Sequence, residues 1–243
     1  MLERILILGG TGLAREAANI LVPRVASVVT SLAGVTRTPH LPKGEIRVGG
    51  FGGTEGLAAF LRDEKIDLMI DATHPFAAQM SAHAHAACMI AGVKLIRLEA
   101  RAWKPQKGDD WRDVGSAAQA VQALPQNANV AVTVGRKQIG AFFARSDLSG
   151  IARMIEPPDV EAPSRWQVLL ERPPFTLESE IDLLRATDVQ FLVSKNAGGP
   201  RVAKLDAAAA LGLQVIMIVR PFKPPVASVE NVTELLGTLS FAD

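Results

Sequence analysis

The residues of this chain able to do chemistry fall at the ends of short apolar runs. The first is the turn Gly9-Gly10-Thr11-Gly12, which follows the run Arg4 to Leu8 and opens a helical segment that includes Leu13. Glycines at such a turn let backbone N–H groups approach a pyrophosphate, and the helix start adds partial positive charge. The turn lacks the full G-x-G-x-x-G spacing, so a tight strand-to-helix bend is the competing reading. The next run ends in VVTSLAGVTR, from Val28 to Arg37, with no acid to hold free ribose hydroxyls. Thr30 and Ser31 can donate to a phosphate, and Arg37 is either a partner for a 2′-phosphate or a solvated loop cation. NADP(H) is therefore the expected cofactor. The run GGFGG from Gly49 to Gly53, with Gly50 as its candidate contact, is either a ligand-approach turn or a flexible bend.

Asp71-Ala72-Thr73-His74-Pro75-Phe76 closes another apolar run, and Pro75 suits the first turn of a helix to about Ala91. Thr73 and His74 are read either as caps of that helix or as groups beside the nicotinamide. There His74 would give a proton or orient a carboxylate. Asp71 is read as structural. His83 and His85 are two apart on a helix and share no face, so no metal site is expected. Cys88 is read as a core residue.

In the second half, cations stand near four run ends: Arg136 and Lys137, Arg172, Lys195 with Arg201 beyond Asn196, and Arg220. Four at one expected sheet edge point to a polyanion pocket.

These residues need strand ends to present them. Apolar runs alternate with helix-like segments in both halves, which predicts an α/β fold: two Rossmann-like domains with mainly parallel sheets and a cleft between them. We expect residues 1–99 to form the NADP(H)-binding domain and 100–243 the substrate-binding one. A closing helix over Val229 to Leu239 could pack on either. Glu99 to Gly115 shows no clear periodicity and reads as a connection. Thr54 is the expected cap of the helix that follows GGFGG.

Composition narrows the function. With 26 Lys+Arg against 25 Asp+Glu, there is no field to attract nucleic acid. No apolar stretch nears the ~20 residues of a membrane span. One cysteine fits a reducing cytoplasm, and a monomer is expected. The absence of tyrosine excludes the Tyr-x-x-x-Lys pair of short-chain dehydrogenases, and the cysteine count excludes zinc-dependent ones.

Taken together, ILGGTGLAR from Ile7, DATHPFA from Asp71, RLEARAW from Arg97, ERPPF from Glu171, SKNAGG from Ser194 and VIMIVRP from Val215 resemble the precorrin-6A reductase family of cobalamin biosynthesis. The resemblance implies NADPH-dependent reduction of the precorrin-6A macrocycle to precorrin-6B in the cytoplasm. It implies a cleft that offers cations to an anionic tetrapyrrole; Arg136, Lys137, Arg172, Lys195, Asn196 and Arg201 are the candidate contacts. His74, Lys195 or a water would deliver the proton. Gly12 and Leu13 replace a Ser-Glu pair common in the family, and Ala197 replaces a common serine. The rival readings are an NADP(H)-sensing regulator without catalysis and a tetrapyrrole methyltransferase.

Overall fold

The computed structural model describes residues 2–34 and 41–239. It divides into two compact units, residues 1–101 with 221–243 and residues 102–220. This differs from the expected 1–99 and 100–243 chiefly in the C-terminal segment, which belongs to the first unit.

The first unit contains β1 (Arg4–Leu8), α1 (Gly12–Leu21), β2 (Ser27–Leu32), β3 (Glu45–Val48), α2 (Gly53–Asp63), β4 (Leu68–Asp71), α3 (Ala78–Ala91) and β5 (Lys94–Leu98). The second holds β6 (Asp110–Val114), α4 (Ala117–Ala123), β7 (Asn129–Thr133), α5 (Arg136–Phe143), β8 (Ser149–Met154), β9 (Trp166–Leu170), α6 (Leu177–Ala186), β10 (Phe191–Lys195), α7 (Ala203–Leu211) and β11 (Gln214–Ile218). The chain then returns to the first unit with β12 (Ala227–Val229) and α8 (Val232–Gly237).

Each unit is built on one six-stranded sheet, ordered β12-β5-β4-β1-β2-β3 in the first and β6-β11-β10-β7-β8-β9 in the second. Every pairing is parallel. Apart from the chain origin of β12 and β6, the two orders are the same topology, although the sequence shows no convincing repeat. In both, strand order reverses beside the first central strand, at β1/β4 and at β7/β10. Such a reversal opens a crevice at the carboxyl ends of the strands.

Burial on both faces explains the unbroken apolar strands. Ile5 and Ile7 of β1 pack with Ala14, Ala17 and Leu21 of α1 on one face, joined by Val232 and Leu235 of α8. Leu6 and Leu8 pack with Leu57 and Leu61 of α2 on the other. In the second unit Ala131, Ile151, Leu192 and Val215 meet Leu184, Leu205 and Ala208, with Trp103 and Trp111 against the same cluster.

Several expected boundaries are corrected. The segment read as a connection contains β6, and the closing helix is a strand followed by the shorter α8. The helix expected from Pro75 starts at Ala78, so neither Thr73 nor His74 caps it; Ala77 holds the cap position. The cap of α2 is Gly52 at φ 80, which places Thr54 inside the first turn.

Candidate active site

At the β1/β4 reversal the glycine turn is stapled on three sides. The Gly9 N–H donates to Ser31 O at 2.9 Å, tying the turn to β2. The Thr11 hydroxyl donates to Ala72 O beyond β4 at 2.8 Å and accepts from the Ala14 N–H at 3.1 Å, which caps α1. A side chain at Gly9 would meet Thr30 Cγ2 at 2.8 Å, so glycine there permits the close approach of β1 and β2. Gly10 adopts φ 106, and no atom lies within 4 Å of a Cβ built on Gly10 or Gly12. The turn is thus a cradle open on one side. The first-turn amides of Gly12 and Leu13 have no acceptor within the helix. The Thr30 hydroxyl is buried and lacks a partner among the described residues. A pyrophosphate fits this arrangement of donors. Ser31, next to last in β2, is 7% exposed, and Gly50 is exposed in the turn past β3. Arg37 lies outside the described residues.

The end of β4 separates residues that the sequence grouped. Thr73 turns inward; its hydroxyl donates to Asp71 Oδ1 at 2.6 Å, so it is a support for Asp71 rather than an open cofactor donor. Asp71 also pairs with Arg97 Nε at 3.4 Å, with both side chains buried. Burial alone would raise the Asp71 carboxyl. The nearby Ser81 hydroxyl, which falls short of full hydrogen-bond geometry, the Thr73 hydroxyl and the Lys223 charge outweigh it and hold the group below its ordinary value. His74 is exposed, and its Nδ1 accepts from the Phe76 N–H at 3.2 Å. That bond leaves Nε2 as the protonated nitrogen of the neutral ring. Cys88 is buried, which pushes its thiol up to about 12 and removes it from chemistry near neutrality.

In the second unit the β7/β10 reversal gathers Arg136, Lys137 and Lys195, because β7 and β10 are direct neighbours. Arg136 and Lys137 open α5 with no acid in its first turn, although Arg136 has Asp159 at 3.5 Å. Cations at the positive end of a helix dipole repel it, and a bound anion relieves that repulsion. Lys195 is half-buried, and burial lowers its ammonium to about 8.

Three candidates do not join this group. Asn196 is buried, and its side chain clamps Trp103, accepting from its N–H at 2.8 Å and donating to its carbonyl at 2.9 Å. Arg201 spends its guanidinium on Asp109 and Asp206. Both therefore build the SKNAGG loop instead of presenting a free contact. Arg172 pairs with Glu156 at 3.2 Å beyond β9, at the far edge of the sheet. Arg220, noted only as a cation, fixes the same loop by donating to Asn196 O and Ala197 O.

Sequence reasoning missed Lys204. Its Nζ donates to the Thr133 hydroxyl at 2.8 Å, and that hydroxyl donates to Val193 O at 3.1 Å, so the pair bridges β7 and β10 at the reversal. Burial and the Arg153 charge lower Lys204 to about 8, against the opposing pull of Glu180. Arg153 meets Glu180 at 2.6 Å and lies 4.1 Å over the Phe175 ring. The missed signal was a lone lysine in the otherwise small and apolar opening of AKLDAAAAL.

Among the described residues no group of three His, Cys, Asp or Glu is placed to hold a metal ion. No described helix is long and apolar enough to cross a membrane.

The two parallel six-stranded sheets, each with its strand-order reversal, define a two-unit α/β protein. The model of the precorrin-6x reductase family CbiJ/CobK matches residues 4–240, and the chain belongs to that family of oxidoreductases. It is 43% identical to a precorrin-6A reductase of Rhodococcus erythropolis, covering 99% of this chain and 97% of that one. It is 44% identical to a precorrin-6A reductase of Mycobacterium tuberculosis, covering 95% of each. A solved structure titled CobK precorrin-6A reductase superposes with a TM-score of 0.89 at 40% identity, covering 97% of this chain and 95% of that one.

Proposed function

We propose that the protein reduces precorrin-6A to precorrin-6B with NADPH, in the cytoplasm and as a monomer. The observation that carries the cofactor reading is the open cradle at Gly9 to Gly12 followed by a second strand with no terminal acid. NADPH, when bound, supplies a hydride for a ring carbon of the conjugated macrocycle. The chain's own residues bind, orient and protonate. Gly10, Gly12 and Leu13 offer amides to the pyrophosphate, and Ser31 a hydroxyl near the ribose. Lys195, Lys204, Arg136 and Lys137 hold carboxylate side chains of the substrate at the β7/β10 edge. The proton for the neighbouring ring atom comes from His74 Nε2, from Lys195 or from water. No nucleic acid partner is called for.

The reading is tested by adding precorrin-6A anaerobically to enzyme and NADPH. Stoichiometric loss of NADPH absorbance is expected. NADPH binding without oxidation in the presence of authentic substrate would favour a sensor instead.

The lysines give this reading a pH dependence. Below about 8 both ammonium groups are charged and bind carboxylates; above it the charge is lost. The KM for precorrin-6A should therefore rise as pH passes 8, while kcat changes less because bound carboxylate keeps the lysines protonated. Replacing Lys195 by Met should raise KM roughly tenfold, the worth of about one charged hydrogen bond, with NADPH affinity unchanged. A KM that ignores both the substitution and the pH would remove Lys195 from the substrate site.

A further inference from the structure

Arg47 stands one strand beyond the residues considered so far. It is the register partner of Ser31 across β2 and β3, as Ser31 is of Leu8 across β1 and β2. Partnered residues in parallel strands point to the same face, so Ser31 and Arg47 are neighbours at the carboxyl end of the sheet. The Arg47 guanidinium lies 3.9 Å over the Phe51 ring, and Phe51 meets Phe60 edge-on at 5.1 Å. Nη1 donates to Gly49 O at 2.7 Å and Nη2 to Gly50 O at 2.8 Å.

The loop is shaped for this contact. Gly49 and Gly52 adopt φ of 114 and 80. A Cβ on Gly56 would fall 1.7 Å from Phe51 O, so α2 must offer a bare backbone where the loop crosses it.

Among the described residues, every interaction Arg47 makes is with a neutral partner. Among the described residues no carboxylate pairs with it, unlike Arg97, Arg153 and Arg201. A guanidinium has five N–H donors, and two are spent on carbonyls. Three remain on a plane already fixed by the ring and the loop, so little conformational freedom is lost on binding an anion. At the end of the second strand in this topology the anion in reach is a substituent of the adenosine ribose. We infer that Arg47, held flat on Phe51 beside Ser31, is the residue by which this protein selects a 2′-phosphorylated dinucleotide over its unphosphorylated form. The inference rests on the dinucleotide reading of the glycine cradle.

The test is calorimetric titration of NADPH and NADH into wild-type protein and the variants Arg47→Ala, Arg47→Lys and Arg47→Gln. Wild type is expected to prefer NADPH. Arg47→Ala is expected to weaken NADPH by about ten- to a hundredfold, the loss of charged hydrogen bonds, and to leave NADH within about twofold. Arg47→Lys keeps the charge without the fork and should fall between. Arg47→Gln keeps the stem and a donor for the loop carbonyls, so the selective loss should survive in it even where the alanine variant is unstable. A NADPH preference undiminished in all three variants would overturn the inference. So would a parallel loss of both dinucleotides, which would make Arg47 a loop brace alone. Wild type binding neither dinucleotide would instead overturn the cradle reading itself.

Discussion

Asp71→Ala is expected to lower the stability of the protein by about 3–5 kcal/mol, the usual cost of leaving one member of a buried ion pair alone. The Arg97 guanidinium would keep its charge at 7% exposure, with only the Pro224 carbonyl at 3.1 Å as a partner for Nη1. Its Nη2 already lacks a partner among the described residues. The Thr73 hydroxyl and N–H would lose their acceptor as well. Urea unfolding should show a lower midpoint at unchanged slope. The carboxyl is held below its ordinary 3.8, so its contribution is complete above that pH and is lost as pH falls through the lowered value. The gap between wild type and Asp71→Ala should accordingly narrow in strong acid. A loss under about 1 kcal/mol at neutral pH would show that the pair does not organise the end of β4.

The glycine cradle gives the second large effect, and two substitutions separate its causes. Gly9→Val would drive a branched side chain into Thr30, Leu32 and the Ser31 carbonyl. Thr30 is only 1% exposed and cannot swing away. Overpacking of this kind costs about 1–3 kcal/mol, and it should part the turn from β2 and weaken NADPH at least roughly tenfold. Gly12→Val meets no protein atom within 4 Å of its Cβ. It should leave the unfolding midpoint nearly unchanged and still weaken NADPH by a similar factor, because the obstructed space is the ligand's. Fluorescence titration of NADPH alongside urea unfolding distinguishes the two. If Gly12→Val bound NADPH as wild type does, the phosphate would lie elsewhere.

Most strands read from sequence lie where apolar runs are buried on both faces, although β2 and β10 sit two residues further along than expected. RILIL, LMID and QVIMI have their observed limits because a strand covered on both faces carries a near-continuous apolar run, with its one polar residue at an end. Of the edge strands, EIRV was read with its observed limits, and the other three were not. DWRDV buries only Val114, and WQVLL, the outermost strand of its sheet, buries only Trp166, so neither shows the burial pattern of a central strand. ASV follows a proline-rich stretch, and its place beside β5 depends on a pairing between residues more than a hundred positions apart. No local pattern encodes that.

The candidate site divides in the same way. The places of the glycine turn and of the cations opening α5 were legible because they follow from strand-end position alone. Asn196 and Arg201 stand in just such a position, yet their side chains turn back to Trp103, Asp109 and Asp206, partners far away in sequence. Thr73 was drawn inward by Asp71 for the same reason. Lys204 and Arg47 carry no local signal because what marks each is a neighbour distant in sequence, Thr133 on β7 in one case and Ser31 on β2 in the other.

The central claim is that the bend after β1 receives the phosphates of a nicotinamide dinucleotide. A crystal structure of the protein grown with NADP+ tests it most directly. The account predicts pyrophosphate oxygens within hydrogen-bonding distance of the Gly10, Gly12 and Leu13 amides. Dinucleotide bound at any other place, with this bend left empty, would contradict it.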